Sequence, residues 1–263
     1  MRLDLADIVL APVTDPRWLV KDMIPRGSFV VLAGEHGTGK SSLLYHLCLC
    51  APLGKPFLGH QTFPTDILYL DEENGKPDAT RYWQWTWRGL GCPDPQLWAP
   101  RIRFENFSLA STTWARQVRE YVQESPRPGL IVIDTATPAL RIIDENDNAE
   151  ASQRILELRS IQTLADNETS VIVLKHEKTR DDVSHRRTVR GAKAWLGAAD
   201  IVMYLSFKRG GSHGLRRTIL AADKPRAFGL QYPLEIIPKW TTDHEPRGLI
   251  LNAQRAVAHH EED

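Results

Sequence analysis

A segment that begins at Gly34 has the residue types and the spacing of a loop that binds triphosphates. Glycines at its first and sixth positions are followed by Lys40 and Ser41, which is the GxxxxGK[ST] pattern. The glycines let backbone N–H groups turn inward around phosphate oxygens, and the following helix adds a positive dipole end. Lys40 can reach the β- and γ-phosphates, and the Ser41 hydroxyl can coordinate Mg²⁺. The predicted nucleotide-binding residues are Gly34, Glu35, His36, Gly37, Thr38, Gly39, Lys40, Ser41 and Ser42.

The predicted nucleotide is ATP with Mg²⁺. The chain contains no Asn-Lys-x-Asp string of the kind that reads guanine. Asp134 ends the apolar run at residues 130–134. An Asp that a buried strand delivers beside a phosphate loop is the usual second Mg²⁺ ligand, held through water. Two plainer interpretations stay open: the loop is an ordinary glycine-rich turn, and Asp134 only caps its strand.

Three polar residues after predicted strands are candidates for the hydrolysis step. Glu72 and Glu73 follow the strand at residues 66–71, where a carboxylate can orient the attacking water. Because side chains alternate along an extended chain, only one of the two can face the phosphate, and we choose Glu73. His176 follows the strand at residues 170–175, where it can contact the γ-phosphate and report its loss. The alternatives are that both glutamates are solvated and that His176 is structural.

The elements that must position these residues alternate between strands and helices. This order predicts an α/β fold with a mostly parallel twisted sheet flanked by helices and with antiparallel strands near the C-terminus. Residues 1–252 are expected to form the ATPase domain, and residues 253–263 a flexible tail. The predicted strands are 29–33, 66–71, 101–105, 130–134, 170–175, 200–206, 215–222, 230–237 and 248–252, and the predicted helices are 40–50, 78–90, 111–124, 148–166 and 191–197.

The composition predicts a soluble cytoplasmic protein. Lys and Arg total 33, and Asp and Glu also total 33, so the net charge is zero and a globally basic nucleic-acid coat is excluded. Three cysteines without a CxxC pair argue against a zinc site or a disulfide frame and favour a reducing compartment. Asp4 and Asp7 among the first apolar residues argue against a signal peptide. No apolar run approaches the length that crosses a membrane, so no membrane partner is expected.

Several motifs in this order resemble the plasmid- and phage-encoded RepA-type AAA ATPases. They are Trp18-Leu19-Val20, Pro25-Arg26-Gly27, the phosphate loop, residues 68–74, Ile133-Asp134-Thr135, residues 145–150 and Val189-Arg190-Gly191-Ala192. The resemblance extends over about residues 16–238. It implies the RecA fold and His176 as the γ-phosphate sensor, although the family often has a His-His pair where this chain has Lys175-His176.

The resemblance also implies an assembly and a biological setting. Members of the family include ring-shaped hexameric replicative helicases, so the expected protein is a homo-hexameric translocase on single-stranded DNA. The expected setting is plasmid, phage or mobile-element replication, with a replication initiator or a primase as a partner. RecA-fold relatives of the KaiC type are regulators, so a regulatory ATPase without translocation is the alternative.

The segment at residues 178–190 is the candidate contact with nucleic acid. It carries five basic and two acidic side chains, and a local excess of positive charge suits contact with phosphates. In RecA-type proteins the corresponding loop lines the central channel of the ring. The plainer alternative is a solvated surface loop. The candidate residues are Lys178, Arg180, Arg186, Arg187 and Arg190.

Lys224 and Arg226 flank a proline and are the candidate residues that act on a neighbouring subunit. The proline favours an extended conformation for Lys224, so the two basic side chains are expected to point the same way. The resemblance implies that such a pair reaches the ATP of the next subunit, with Arg226 as the finger. The alternative is an ordinary surface pair. Trp83 and Trp87 form a helical stripe that is more typical of packing than of base stacking.

Overall fold

A computed structural model describes residues 4–12, 14–105, 114–124, 126–144, 146–164, 168–176, 193–210, 215–224, 229–241 and 247–256. The helices are α1 (Leu5–Leu10), α2 (Lys40–Leu53), α3 (Lys76–Gly89), α4 (Trp114–Gln123), α5 (Ala136–Ala139), α6 (Asn148–Leu164) and α7 (Ala194–Ala198). The strands are β1 (Trp18–Val20), β2 (Ile24–Pro25), β3 (Phe29–Gly34), β4 (Ile67–Asp71), β5 (Ile102–Glu105), β6 (Leu130–Asp134), β7 (Ser170–His176), β8 (Ile201–Gly210), β9 (Leu215–Lys224), β10 (Leu234–Trp240) and β11 (Leu249–Arg255). Short 3₁₀ turns at Pro95–Leu97 and Ala99–Arg101 precede β5.

Nine of these strands form one sheet in the order β11-β10-β9-β8-β3-β7-β6-β4-β5. The strands from β8 to β5 in this order pair in parallel, and β9, β10 and β11 add to the β8 edge in antiparallel fashion. The strand β7 lies between β3 and β6, and it pairs Gly34 with His176. On the other side of β6, Asp71 pairs with Asp134. The carboxyl ends of four neighbouring strands therefore meet at one edge of the sheet.

Both faces of the sheet are covered, which is why its parallel strands are continuous apolar runs. All six residues of β3 are buried, and alternate residues enter two different hydrophobic clusters. Val30 and Leu32 pack with α2 on one face, whereas Val31 and Ala33 pack with α6 and α7 on the other. The predicted fold class, a mostly parallel sheet flanked by helices with antiparallel strands near the C-terminus, is confirmed.

The element boundaries differ from the predicted ones mainly in the antiparallel part. The strand β8 extends to Gly210 because its hairpin with β9 pairs Gly210 with Leu215. The strand β11 extends to Arg255, which pairs with Leu234, so the boundary predicted at residue 252 falls inside a strand. Main-chain pairing continues past the apolar residues from which the strands were predicted. Within the described part of the chain, no helix combines the length and apolar character that crossing a membrane requires.

Candidate nucleotide-binding site

The loop between β3 and α2 is shaped by its glycines. A Cβ on Gly34 would lie 2.3 Å from the carbonyl oxygen of Leu205, so only glycine permits β8 to pass this closely. Gly39 has φ 91°, a left-handed conformation that other residues rarely adopt, and it is the residue from which α2 starts. No side chain caps this helix start within the described residues. Its first N–H groups are therefore directed at the space where an anion would bind.

Lys40 places a positive charge at the centre of this loop. The residue is 6% exposed, and its Nζ donates to the carbonyl oxygens of Gly34 at 3.0 Å and Glu35 at 2.9 Å. The hydroxyl of Thr38 donates to the same Glu35 oxygen at 2.9 Å. The loop is thus tied together by its own side chains around an ammonium group, which suits contact with phosphate oxygens.

Asp134 supplies a buried carboxylate beside the loop. It is fully buried, and the Tyr69 hydroxyl donates to its Oδ2 at 2.9 Å. Burial, and then the neighbouring Asp71, raise the pKa of Asp134 to about 7, while contacts with Ser41 and Tyr69 act to lower it. Its Oδ1 is buried and makes no hydrogen bond with the described residues. A buried carboxylate that contacts Ser41 and has one oxygen without a hydrogen bond among the described residues fits a site for a dication, so Ser41 and Asp134 could together hold Mg²⁺.

Asp71 lies next to Asp134 and fixes the segment that follows β4. Its Oδ1 accepts hydrogen bonds from the backbone N–H groups of Glu73 at 3.1 Å and Asn74 at 2.8 Å. Its Oδ2 accepts a short hydrogen bond from the Tyr45 hydroxyl. The Tyr45 ring stacks on that of Tyr69 with centroids 5.1 Å apart, and burial raises the pKa of Tyr45. We call Tyr45, Tyr69, Asp71 and Asp134 the buried cluster.

A second polar group lies at the same edge, nearer to solvent. The His36 ring from the loop stacks on the His176 ring with centroids 3.8 Å apart. His176 Nε2 lies 3.4 Å from Glu73 Oε2. The hydrogen bond from His176 lowers the pKa of Glu73 against the opposing effect of burial, and the charge of Lys40 lowers it further. We call His36, Glu73 and His176 the exposed cluster.

The two adjacent glutamates have different surroundings. Glu73 faces His176, as described above, whereas the backbone N–H of Glu72 donates to the carbonyl oxygen of Asp134 at 2.6 Å. The position of Glu73 suits the orientation of a water molecule next to a γ-phosphate. Its choice as the hydrolytic residue stays a prediction.

Lys175 and His176 point to opposite sides of the sheet. Lys175 is 2% exposed, and its Nζ lies 5.5 Å from the Trp195 ring centroid and 3.4 Å from the Thr137 hydroxyl. The role of His176 as the γ-phosphate sensor stays a prediction. Lys224 ends β9, but its side chain, Arg226 and the basic residues of the 178–190 segment lie outside the described residues.

The tryptophans divide between core packing and a cavity next to the loop. Trp83 packs edge-on against Tyr45 with centroids 4.7 Å apart, which agrees with the packing interpretation. A cavity of about 230 Å³ adjoins the start of α2. Trp240 forms part of its wall and is 41% exposed. The Trp240 ring packs edge-on against that of Trp85, with ring centroids 5.2 Å apart. Its lining residues are Thr38, Gly39, Ser42, Leu43, Leu205, Thr218, Ile236, Pro238, Trp240, Leu249 and Leu251.

Sequence reasoning found Asp134 but missed this cavity and the other three members of the buried cluster, Tyr45, Tyr69 and Asp71. Trp240 is brought to the loop by the antiparallel strands, whose position in the sheet is not encoded in local spacing. Tyr69 and Asp71 share one side of β4, and this i,i+2 spacing is the one signal that could have been read.

Comparisons with known proteins agree with this geometry. Among solved structures the chain is similar to the RadB recombinase, with a TM-score of 0.55 and 14% identity, covering 80% of this chain and 87% of that chain. It is also similar to a KaiC-like protein from the hyperthermophilic archaeon Pyrococcus horikoshii OT3, with a TM-score of 0.59 and 16% identity, covering 89% of this chain and 93% of that chain. No curated protein matches the chain in sequence at a significant level.

The fold and the phosphate loop define the class of the protein, a RecA-like P-loop domain. Residues 1–182 match the family model of the AAA domain (AAA_25), and the chain belongs to this family. The RecA fold expected from the resemblance is thereby confirmed. Membership of the RepA-type replicative helicases within this class stays a prediction.

Proposed function

We propose that the chain binds ATP with Mg²⁺ at the carboxyl edge of its parallel sheet and hydrolyses it. The observation that carries the proposal is the meeting of a buried lysine, a buried aspartate with an unpaired oxygen, and an ionised glutamate at adjacent strand ends. Lys40 contacts the β- and γ-phosphates, and Ser41 and Asp134 hold the metal. Mg²⁺, when bound, neutralises charge on the phosphate oxygens.

Glu73 and His176 are proposed to act on the water and on the γ-phosphate. The lowered pKa of Glu73 keeps its carboxylate ionised, so that it accepts a hydrogen bond from the attacking water and aligns it. His176 lies within reach of Glu73 and beside the loop residue His36, so it is placed to respond when the γ-phosphate leaves. The mostly apolar cavity at Trp240 is proposed to hold the adenine ring.

Two substitutions separate binding from hydrolysis. Lys40→Ala should abolish nucleotide binding or turnover, because the main cation on the phosphates is lost. Glu73→Gln should retain ATP affinity and lose hydrolysis by at least about 100-fold, because only the alignment of water is removed. The matched control is Glu72→Gln, which should turn over normally. Fluorescent-nucleotide binding and phosphate release are the measurements, and normal turnover in Glu73→Gln would contradict the assignment.

We further propose that the ATPase forms a hexameric ring that moves on single-stranded DNA in the replication of a plasmid, phage or mobile element. The support is the resemblance to RepA-type ATPases and the basic segment at residues 178–190. Arg186→Ala combined with Arg187→Ala should lower the slope of log K against log salt for single-strand binding by up to about 1.4, roughly 0.7 per lost phosphate contact. Unchanged affinity for single-stranded DNA in this variant would favour the regulatory ATPase.

The ring itself can be tested through Arg226. Arg226→Ala should leave ATP affinity nearly intact and strongly depress hydrolysis, because an arginine supplied to a neighbour acts mainly in the transition state. Mixing Arg226→Ala subunits with Lys40→Ala subunits should restore part of the activity where an intact loop meets an intact finger. The absence of recovery in verified mixed rings would contradict a role for Arg226 on the neighbouring site.

A further inference from the structure

The exposed cluster has a set of side-chain donors that could bind a metal ion of its own. Two imidazoles and one carboxylate, from His36, Glu73 and His176, each offer an atom, and these atoms all lie within 4.8 Å of one another. The three residues come from three separate segments: the phosphate loop, the turn after β4, and the end of β7. Main-chain pairing fixes two of these segments side by side, because Gly34 pairs with His176.

The chemistry of the donors selects a class of metal. Mg²⁺ and Ca²⁺ prefer oxygen ligands, whereas imidazole nitrogen suits Zn²⁺, Co²⁺ and Ni²⁺. Two histidines and one glutamate are a ligand set of three protein donors that leaves a fourth tetrahedral position open. Asp134 in the buried cluster and the nearby Ser41 hydroxyl offer oxygen donors, which suit Mg²⁺. The two clusters therefore differ in the metals that they select.

The side chains must rearrange slightly to share one ion. The two imidazole rings are stacked with an angle of 18° between their planes, so their nitrogen lone pairs do not converge on one point. Metal–ligand distances of about 2.0–2.2 Å require the donors to approach one another to roughly 3.3 Å. The His36 side chain is exposed, and those of Glu73 and His176 are 34% and 15% exposed, so the rings and the carboxylate can rotate to that geometry.

We propose that His36, Glu73 and His176 form a binding site for a transition-metal dication of the Zn²⁺ or Co²⁺ type. In this site the metal takes the carboxylate of Glu73, and it separates the stacked histidine rings. Because Glu73 is the residue proposed to align water, occupancy of the site stops hydrolysis while the phosphate loop and the Mg²⁺ site stay intact. This consequence for hydrolysis rests on the proposed function, whereas the metal site itself does not.

A Co²⁺ titration of the full chain without nucleotide tests the site directly. The wild type should show the visible absorption of tetrahedral Co²⁺ with one ion per chain, and Zn²⁺ should displace it. His36→Ala and Glu73→Gln should each weaken the affinity at least about tenfold, because each removes one of three ligands. Both positions are exposed, so the variants should fold, and thermal unfolding checks this.

Matched controls test other potential donors of the chain. His60→Ala removes a histidine outside the cluster, Cys92→Ser removes the one cysteine that is not buried, and a joint change of His259 and His260 to Ala removes the paired histidines near the C-terminus. These three variants should bind Co²⁺ like the wild type. Equal binding in His36→Ala, in Glu73→Gln and in the wild type would overturn the proposal, and so would loss of binding in any control.

An ATPase measurement separates the site from the proposed function. At saturating Mg²⁺, Zn²⁺ should inhibit the wild type. The inhibition of each protein is expressed as a fraction of its own rate without zinc. The Zn²⁺ concentration that gives half-inhibition should be at least about tenfold higher for His36→Ala than for the wild type. An active wild type that binds Co²⁺ but resists Zn²⁺ would overturn the inhibitory role. A wild type without any ATPase activity would contradict the proposed function, and the Co²⁺ titration would still decide the site.

Discussion

The buried cluster and the exposed cluster lie at the same edge of the sheet but are held in different ways. In the buried cluster, Asp71 accepts from two backbone N–H groups and from the Tyr45 hydroxyl, and Tyr69 donates to Asp134. In the exposed cluster, the rings of His36 and His176 stack, and one contact joins His176 to Glu73. Water cannot replace the bonds of the first cluster, but it can replace those of the second.

The difference shows how one edge of a sheet can hold both a rigid group of side chains and a group that can rearrange. Charges that are removed from water need fixed partners, so the residues around Asp134 form part of the hydrophobic core. Under the proposed function, Glu73 and His176 would exchange partners as a γ-phosphate arrives and leaves, and both lie where solvent can accommodate the change. We therefore expect substitutions in the buried cluster to cost stability and substitutions in the exposed cluster to affect mainly ligand binding and turnover.

The largest effect on stability is expected for Asp71→Ala. The change leaves the Tyr45 hydroxyl and two backbone N–H groups without their acceptor, and the free energy of unfolding should fall by about 2–4 kcal/mol. Urea denaturation at neutral pH measures it. Asp71→Asn is the control, because its amide oxygen can still accept, and it should lose less. A loss below about 1 kcal/mol in Asp71→Ala would mean that the buried cluster does not stabilise the fold.

A comparable loss of stability is expected when a buried histidine is protonated at acidic pH. His46 is 2% exposed, its ring makes no hydrogen bond within the described residues, and burial lowers its pKa to about 4. The unfolded chain takes up this proton near pH 6.5, so the contribution to stability is complete above that pH and is lost as the pH falls towards 4. Between pH 7.5 and 4.5, the wild type should lose about 2–3 kcal/mol more than His46→Leu. If the free energy of unfolding falls equally with pH in both proteins, protonation of His46 is not the cause of the loss.

A smaller effect is expected for Tyr69→Phe. The change removes one hydroxyl that donates to a carboxylate at 2.9 Å and keeps the ring that stacks on Tyr45. The free energy of unfolding should fall by about 1–2 kcal/mol, because a hydrogen bond to a charged group is lost in the core. Chemical denaturation at pH 8 measures the change. Unaltered stability would show that Asp134 has a second, equivalent donor.

The smallest effect is expected for His36→Ala. The ring is exposed, and its loss should change the free energy of unfolding by no more than about 0.5 kcal/mol. Thermal and urea unfolding of this variant beside Asp71→Ala test the contrast between the clusters within one experiment. Destabilisation of His36→Ala as large as that of Asp71→Ala would remove the distinction between them.

The site residues that were predicted are those that a local sequence pattern identifies. The glycines, Lys40 and Ser41 have a fixed spacing, and Asp134 and His176 end recognisable apolar runs, so the sequence locates them at strand ends. The order of the strands is not contained in any one segment. The pairing of Asp71 with Asp134 and the stacking of His36 on His176 depend on that order.

The antiparallel part was predicted less well for a related reason. The outer strands of this part carry polar residues at exposed positions, so the alternation of apolar residues marks only part of each strand. An example is β10, which was expected at residues 230–237 and lies at Leu234–Trp240. Trp240 ends this strand and was therefore not connected with the phosphate loop. Only the sheet as a whole brings it to the cavity beside α2.

The position of Trp240 gives the molecule an intrinsic optical reporter. Trp195 and Trp83 are held in the two hydrophobic clusters, so their emission should respond little to a molecule in the cavity, whereas Trp85 contacts Trp240 directly. Trp240 is 41% exposed at the cavity wall, and an adenine ring stacked there would quench its fluorescence and shield it from dissolved iodide. Nucleotide occupancy should therefore be readable from the unlabelled protein, and most of the signal should be lost in Trp240→Leu.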